Sequence, residues 1–86
     1  MKIKKELIKR DIAGDIVLVP VGKTIYDANG LFVLNEVGGF LWDRLPEANG
    51  PDDLTDAVLQ EYDVTNEEAR RDIEEFLCKL RQLDII

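Results

Sequence analysis

Histidine and serine are absent from the 86 residues, and Cys78 is the only cysteine. Without histidine, the chain lacks the commonest general base and the commonest metal ligand. A cysteine without a histidine partner is a poor candidate for an activated nucleophile, and a single cysteine forms no internal disulfide. We therefore expect no enzymatic activity, no metal site and no cofactor, and a reducing, cytoplasmic compartment fits the lone thiol.

Signatures of membranes and nucleotides are also missing. No apolar run reaches the roughly 18 residues that a membrane span requires, and no hydrophobic stretch follows the basic residues 1–5 as it would in a signal peptide. Phosphate-binding loops of the types GxGxxG and GxxxxGK[ST] do not occur. The acidic group of Asp52, Asp53 and Asp56 is explained by the preference of helix starts for carboxylates. The sequence thus predicts a domain with no membrane partner and, by elimination, no catalysis of its own.

The charges are distributed unevenly along the chain. Residues 1–10 hold five basic and one acidic side chains, a balance of +4, whereas residues 11–86 hold 6 basic and 17 acidic side chains, a balance of −11. Because nucleic-acid binding depends on neutralising phosphates, this acidic body argues against a nucleic-acid partner. The basic start is interpreted as a solvated strand edge, with a local anion-binding patch as the alternative.

The length predicts one domain, residues 1–86, whose first part is strand-like and whose second part is helical. Strands are expected at residues 6–12 and 16–19, separated by a turn at Gly14, and at residues 31–34. Between them, Asn29-Gly30 is a strong hairpin signal. Residues 24–28 either pair as a further strand or form one arm of a wider loop. The fold class is therefore α+β, with a sheet of three or four antiparallel strands followed by three helices.

Three helices follow from capping residues and periodicity. Asn35 is the expected N-cap of a helix over residues 36–45, in which Gly38-Gly39 would allow close approach to the sheet. Trp42 lies off the apolar stripe of this helix, which indicates that a second side of the helix is also covered by other parts of the protein. A second helix begins at Pro51. A third helix, over residues 66–83, has this core stripe: Ala69, Ile73, Phe76, Leu77, Leu80 and Leu83.

The sequence also resembles a known family. The segments that carry the resemblance are residues 17–20, 31–38, 41–42, 61–64 and 76–80, in this order and spacing. They resemble the PqqD-like family of RiPP recognition elements, winged helix-turn-helix domains that act on ribosomally made, post-translationally modified peptides. The resemblance covers residues 6–86, and the connection between Pro20 and Leu31 is longer than in the simpler family members.

The resemblance implies a function in peptide modification. In the family, the leader segment of a precursor peptide adds as an antiparallel strand to the third strand and lies in a groove beside the third helix. A separate modifying enzyme, often a radical S-adenosylmethionine enzyme, then acts on the rest of the peptide. The implied partners are a leader peptide and such an enzyme. For the chain itself we expect a monomer or weak homodimer.

Carried over by position, the resemblance assigns residues to the two sides of a peptide site. The docking strand would be Leu31, Phe32, Val33 and Leu34, and the groove wall would be Arg70, Ile73, Glu74, Leu77 and Arg81. Leu77 would take an apolar leader side chain, and the two arginines would pair with leader carboxylates. From the residues alone, the strand side chains also fit plain core positions, and the arginines fit solvated positions.

Two other interpretations remain open from the sequence. One is a winged-helix nucleic-acid binder, which the fold allows but the acidic third helix disfavours. The other is an assembly module that binds a folded enzyme through the strand edge and ignores short peptides. For the leader-binding interpretation we expect micromolar affinity, roughly −8 kcal/mol.

Overall fold

The computed structural model describes residues 1–22 and 32–86. Within these residues, three strands precede three helices: β1 Leu7–Ile12, β2 Asp15–Pro20, β3 Phe32–Leu34, α1 Glu36–Arg44, α2 Pro51–Glu61 and α3 Asn66–Gln82. The predicted α+β fold, a winged helix-turn-helix, is confirmed. The predicted Asn29-Gly30 hairpin, residues 24–28 and Leu31 lie outside the described residues.

The strands form an antiparallel sheet with β2 between β1 and β3. The hairpin of β1 and β2 turns through Ala13 and Gly14, whose φ angles are 53° and 88°. Positive φ at both turn positions matches the natural twist of a two-residue hairpin. The Asp11 side chain accepts a hydrogen bond from the backbone N–H of Gly14 at 3.2 Å. The turn therefore lies where the sequence predicts it.

One face of the sheet packs on the helices. Leu18 in β2 is fully buried, and its partner Phe32 in β3 packs against the same core. Leu34, two residues after Phe32, also packs against the core, whereas Val33 between them is 58% exposed. This period of two places alternate β3 side chains on opposite faces, as expected for a strand.

Helix α1 lies close to the sheet. Asn35 caps it, because its side chain accepts a hydrogen bond from the backbone N–H of Gly38 at 2.7 Å. A Cβ atom on Gly39 would lie 3.0 Å from Cδ1 of Ile16, so the glycine permits the predicted close approach. Trp42 is buried, which confirms cover on a second side of the helix. The helix ends at Arg44, one residue before its predicted end, and a short 3-10 turn follows over Leu45–Glu47.

Helices α2 and α3 complete the core. Pro51 begins α2 as predicted, and Thr65 caps α3 by accepting a hydrogen bond from the backbone N–H of Glu68 at 3.1 Å. Five members of the predicted α3 stripe are buried: Ala69, Ile73, Phe76, Leu77 and Leu80. Helix α3 ends at Gln82, and the predicted last stripe residue, Leu83, is its half-buried C-cap.

The two terminal segments of the chain meet. The backbone N–H of Lys4 donates to the carbonyl of Ile85 at 2.6 Å, and Ile85 itself is fully buried. Lys5 donates to the carbonyl of Leu83 at 3.0 Å, so two of the basic N-terminal residues bind the C-terminal segment. In the described part of the chain, no helix has the length and apolar character needed to cross a bilayer.

Candidate functional site

Strand β3 lies at one edge of the sheet. It pairs with β2 from Phe32 opposite Leu18 to Leu34 opposite Ile16, and no described strand pairs with its other edge. An unpaired strand edge presents backbone N–H and C=O groups that can hydrogen-bond an added extended chain. We call this edge the free edge, because no described strand pairs with it, and it is the first component of the candidate site.

A cavity of about 350 Å³ lies beside this edge, between β3, the start of α1 and α3. We call it the groove. Its lining residues come from all three elements: Val33, Leu34, Asn35, Val37, Gly38, Leu41, Asp72, Glu75, Phe76 and Lys79. The capping bond of Asn35 fixes the start of α1 at the end of β3, and this sharp junction brings α1 residues into the groove.

The groove combines an apolar base with a charged rim. Leu41 is fully buried, Phe76 is 9% exposed, and both belong to the hydrophobic core. Asp72, Glu75 and Lys79 are exposed. Ligand sites commonly combine apolar walls with a few polar groups that fix orientation. The groove is thus suited to an apolar side chain of a ligand whose neighbouring polar groups meet the rim.

One flank of α3 forms the helical wall. Asp72, Glu75, Phe76 and Lys79 are spaced by three or four residues, so they lie on one side of the helix. We call these four residues the groove flank. On the other side of the buried stripe lie Arg70, Glu74, Leu77 and Arg81, which we call the opposite flank.

The predicted wall residues do not coincide with the residues that line the groove. Ile73 and Leu77 are 1% and 2% exposed and belong to the core cluster, so they offer little surface to a ligand. Arg70 points to α2, where its Nη1 atom lies 3.2 Å from Oδ1 of Asp52. Glu74 lies in a second, shallow depression that shares Glu75 and Lys79 with the groove, and Arg81 is exposed. None of these five predicted residues lines the groove, and their contact with a peptide stays a prediction.

The predicted strand agrees better with the structure. Val33 and Leu34 line the groove, and Phe32 lies on the same free edge with its side chain packed on the core. Leu31, the remaining predicted strand residue, lies outside the described residues. The position of the strand suits docking, and its contact with a peptide stays a prediction.

Sequence reasoning missed the groove flank for an identifiable reason. Helical periodicity separates the two sides of the α3 stripe but does not say which side faces β3. From the sequence, Asp72 and Lys79 are recognisable as charged residues on the side of the stripe away from Arg70, and Phe76 as a core residue. One sequence signal does bear on the position of the groove. The predicted close packing of α1 on the sheet is that signal, because α1 forms the base of the groove through Val37, Gly38 and Leu41.

The titratable side chain whose pKa departs from its ordinary value lies outside the groove lining. The one shift that stands out among the described residues raises the pKa of Tyr62, through burial first and then through the carboxylates of Glu36 and Glu61. Tyr62 packs edge-on against Phe40 with ring centroids 5.4 Å apart, away from the groove lining. Within residues 1–22 and 32–86, no cluster of three or more potential metal-ligating side chains occurs.

Comparison with known proteins agrees with this geometry. The model of the family "Coenzyme PQQ synthesis protein D (PqqD)" matches residues 15–86. The chain belongs to the PqqD family. The match spans β2, β3 and all three helices, and therefore includes every residue that lines the groove. No curated protein matches the chain.

Two solved structures resemble this PqqD family chain. "TbiB1 in Complex with the TbiA(beta) Leader Peptide" is 29% identical, with a TM-score of 0.73 over 99% of this chain and 93% of that chain. "Lasso peptide synthetase B1 complexed with the leader peptide" is 22% identical, with a TM-score of 0.70 over 94% of this chain and 89% of that chain. At that lower identity, the second structure shows the shared fold.

Proposed function

We propose that this chain binds the leader segment of a ribosomal precursor peptide and presents the peptide to a separate modifying enzyme. The observation that carries the proposal is the groove beside the free edge of β3, in a PqqD family chain. The leader peptide in the complex of the similar protein TbiB1 supports the choice of ligand.

The proposed binding mode is strand addition. An extended leader pairs its backbone with the free edge of Phe32–Leu34, and alternate side chains of the leader face α3. One apolar side chain enters the groove over Leu41 and Phe76. The backbone bonds supply affinity for any extended chain, and the groove supplies the selection among sequences.

The expected affinity is moderate. A three-residue strand offers few backbone hydrogen bonds, and ordering a flexible leader consumes part of the interaction free energy. Transient contacts of this kind lie near the small end of interface sizes. The dissociation constant is therefore micromolar, which corresponds to a binding free energy of roughly −8 kcal/mol.

The proposal also assigns the chemical modification to a different protein. The chain itself performs no chemistry, and a second protein, such as a radical S-adenosylmethionine enzyme, modifies the bound precursor in the cytoplasm. Two features support this: the sequence has no histidine or serine, and the described lining of the groove offers carboxylates and one lysine without an activated nucleophile. The two carboxylates on the groove rim also favour a peptide over a nucleic acid, whose phosphates they would repel.

Amide chemical shifts of the isotope-labelled chain test the site directly. The probes are the leader segments of precursor peptides encoded beside the gene and, as an outside reference, the TbiA(beta) leader. Residues 32–34 and the groove flank are expected to shift on titration, and a scrambled leader of the same composition is the control. The proposal fails if no leader binds, or if the shifts centre on β1, at the other edge of the sheet.

A further inference from the structure

The charged residues of the groove flank form no ion pair with any described residue. Asp72, Glu75 and Lys79 are all exposed at the rim of the groove. The ion pairs found in the described part of the chain join Lys4 to Asp84, Lys9 to Asp43 and Arg70 to Asp52. None of these pairs involves the groove flank, so its charges are available to a ligand.

The balance of charge at the rim is negative. Among the described lining residues, two carboxylates and one ammonium group give −1, and Val33 and Leu34 on the β3 side of the groove add no charge. Lys79 lies one turn after Glu75, at the spacing where a glutamate and a lysine on a helix attract each other. Asp72 has no such cation one turn away, since Glu68 precedes it by four residues and Phe76 follows it by four. The carboxylate of Asp72 is therefore the least compensated charge in the described lining of the groove.

The arginines of α3 do not line the groove. Arg71 adjoins Asp72 in the chain, but adjacent residues of a helix do not face each other, and Arg71 is exposed outside the groove lining. Arg70 is on the opposite flank and pairs with Asp52 of α2. Arg81 is on the same opposite flank, on the far side of the buried stripe from Asp72. The described lining of the groove thus contains Asp72 and no arginine.

We infer that the groove selects a basic leader segment, in which a lysine or arginine lies beside Asp72 and next to the apolar residue that fills the groove. The inference rests on the proposed function and names the class of peptide that the site takes. It reverses the sequence-based expectation that arginines of α3 pair with leader carboxylates, because the structure places carboxylates on the wall that faces β3.

A displayed library of short random peptides is selected with the intact chain as bait. This experiment tests the inference separately from the proposed function on which it rests. We expect enriched peptides to share an apolar position and an excess of lysine and arginine over aspartate and glutamate near it. If no peptide is enriched, the proposed function fails. If peptides are enriched without that excess of basic residues, the function stands and the inference is wrong.

A charge exchange then assigns the preference to one residue. Two synthetic copies of an enriched peptide, with lysine or glutamate at the basic position, are titrated against the wild-type chain. The lysine copy should bind about fivefold more tightly, as expected for an exposed ion pair. In the variant Asp72→Lys the preference should reverse, so that the glutamate copy binds more tightly.

Glu74→Lys is the matched control. It makes the same change of net charge on the same helix, but on the opposite flank, and both positions are exposed. The control should keep the wild-type preference for the lysine copy. If Glu74→Lys reverses the preference and Asp72→Lys does not, the peptide lies along the opposite flank and the inference is overturned. A preference that persists unchanged in both variants also overturns it. In about 1 M salt, where the screening length is near 3 Å, the fivefold difference should shrink.

Discussion

The two flanks of α3 border the same buried stripe but face different parts of the protein. The groove flank, with Asp72 and Lys79, faces the free edge of β3 across a cavity. The opposite flank begins with Arg70, which is tied to Asp52 of α2. Both flanks carry charges of both signs, although the net charge is −1 on the groove flank and +1 on the opposite flank. The difference teaches that the position of the neighbouring strand, which the charges of a helix do not reveal, places the cavity beside one flank of α3.

The largest expected effect comes from the apolar member of the opposite flank. Leu77→Ala should lower the free energy of unfolding by about 3 kcal/mol, because the leucine is almost fully buried and its removal leaves a cavity. Urea unfolding, followed by the fluorescence of the buried Trp42, measures the loss. Cys78→Ala is the control, since Cys78 is exposed and its change should stay within about 0.5 kcal/mol. Equal losses in the two variants would show that Leu77 is not a core residue.

The strand that faces the groove flank gives the next largest effect. Val33→Lys should weaken leader binding about tenfold, because the long cation replaces an exposed apolar side chain of the groove and repels a basic leader. Fluorescence anisotropy of a labelled leader measures the affinity. Ile12→Lys, an equally charged change at an exposed isoleucine of β1, should leave the affinity unchanged. A similar loss in Ile12→Lys would mean that the leader docks elsewhere on the sheet.

Alanine variants of two basic residues in the last turn of α3 allow a direct comparison of the two flanks. Lys79→Ala should strengthen the binding of a basic leader about twofold, because it removes the one positive charge in the described lining of the groove. Arg81→Ala should leave the affinity unchanged. Both variants should lose a similar stability, about 0.3–0.5 kcal/mol, since each removes a cation from the C-terminal end of the helix. Calorimetric titration would contradict the assignment of flanks if Arg81→Ala changed the affinity more.

The smallest effect is expected from the ion pair of the opposite flank. The Arg70 and Asp52 side chains are 54% and 84% exposed, so a double-mutant cycle with alanine at each position should give a coupling energy below about 0.5 kcal/mol. Leader affinity in Arg70→Ala should stay within twofold of the wild type. A tenfold fall would instead support the sequence-based assignment of Arg70 to the peptide site.

The groove depends on local signals that the sequence displays clearly. Asn35 marks the start of α1, and Gly39 indicates the close packing on Ile16 that the structure contains. The sequence predicts strand β3 within one residue of the described element, and two of its predicted docking residues, Val33 and Leu34, line the groove. These predictions succeed because caps, turns and strand alternation depend on residues that are near one another in the chain.

The wall opposite β3 cannot be obtained in the same way. Asp72 and Phe76 are about forty residues from β3 in the chain, and their contact with the groove depends on how α3 is rotated about its axis. The apolar stripe fixes that rotation only approximately, because residues on both of its margins are compatible with the same buried centre. Leu77, assigned to the groove from the sequence, is therefore buried in the core, and Phe76 on the other margin lines the groove.

The sequence by itself determined the element order, the caps at Asn35 and Thr65, the buried stripe of α3 and the membership of a peptide-binding family, because each of these depends on short-range patterns of apolar, capping and turn residues. Only the tertiary structure decided that carboxylates rather than arginines face the free edge of β3. The physical reason is that a helix buries one stripe but has two margins, and the choice between them is made by packing against α1, α2 and the sheet together.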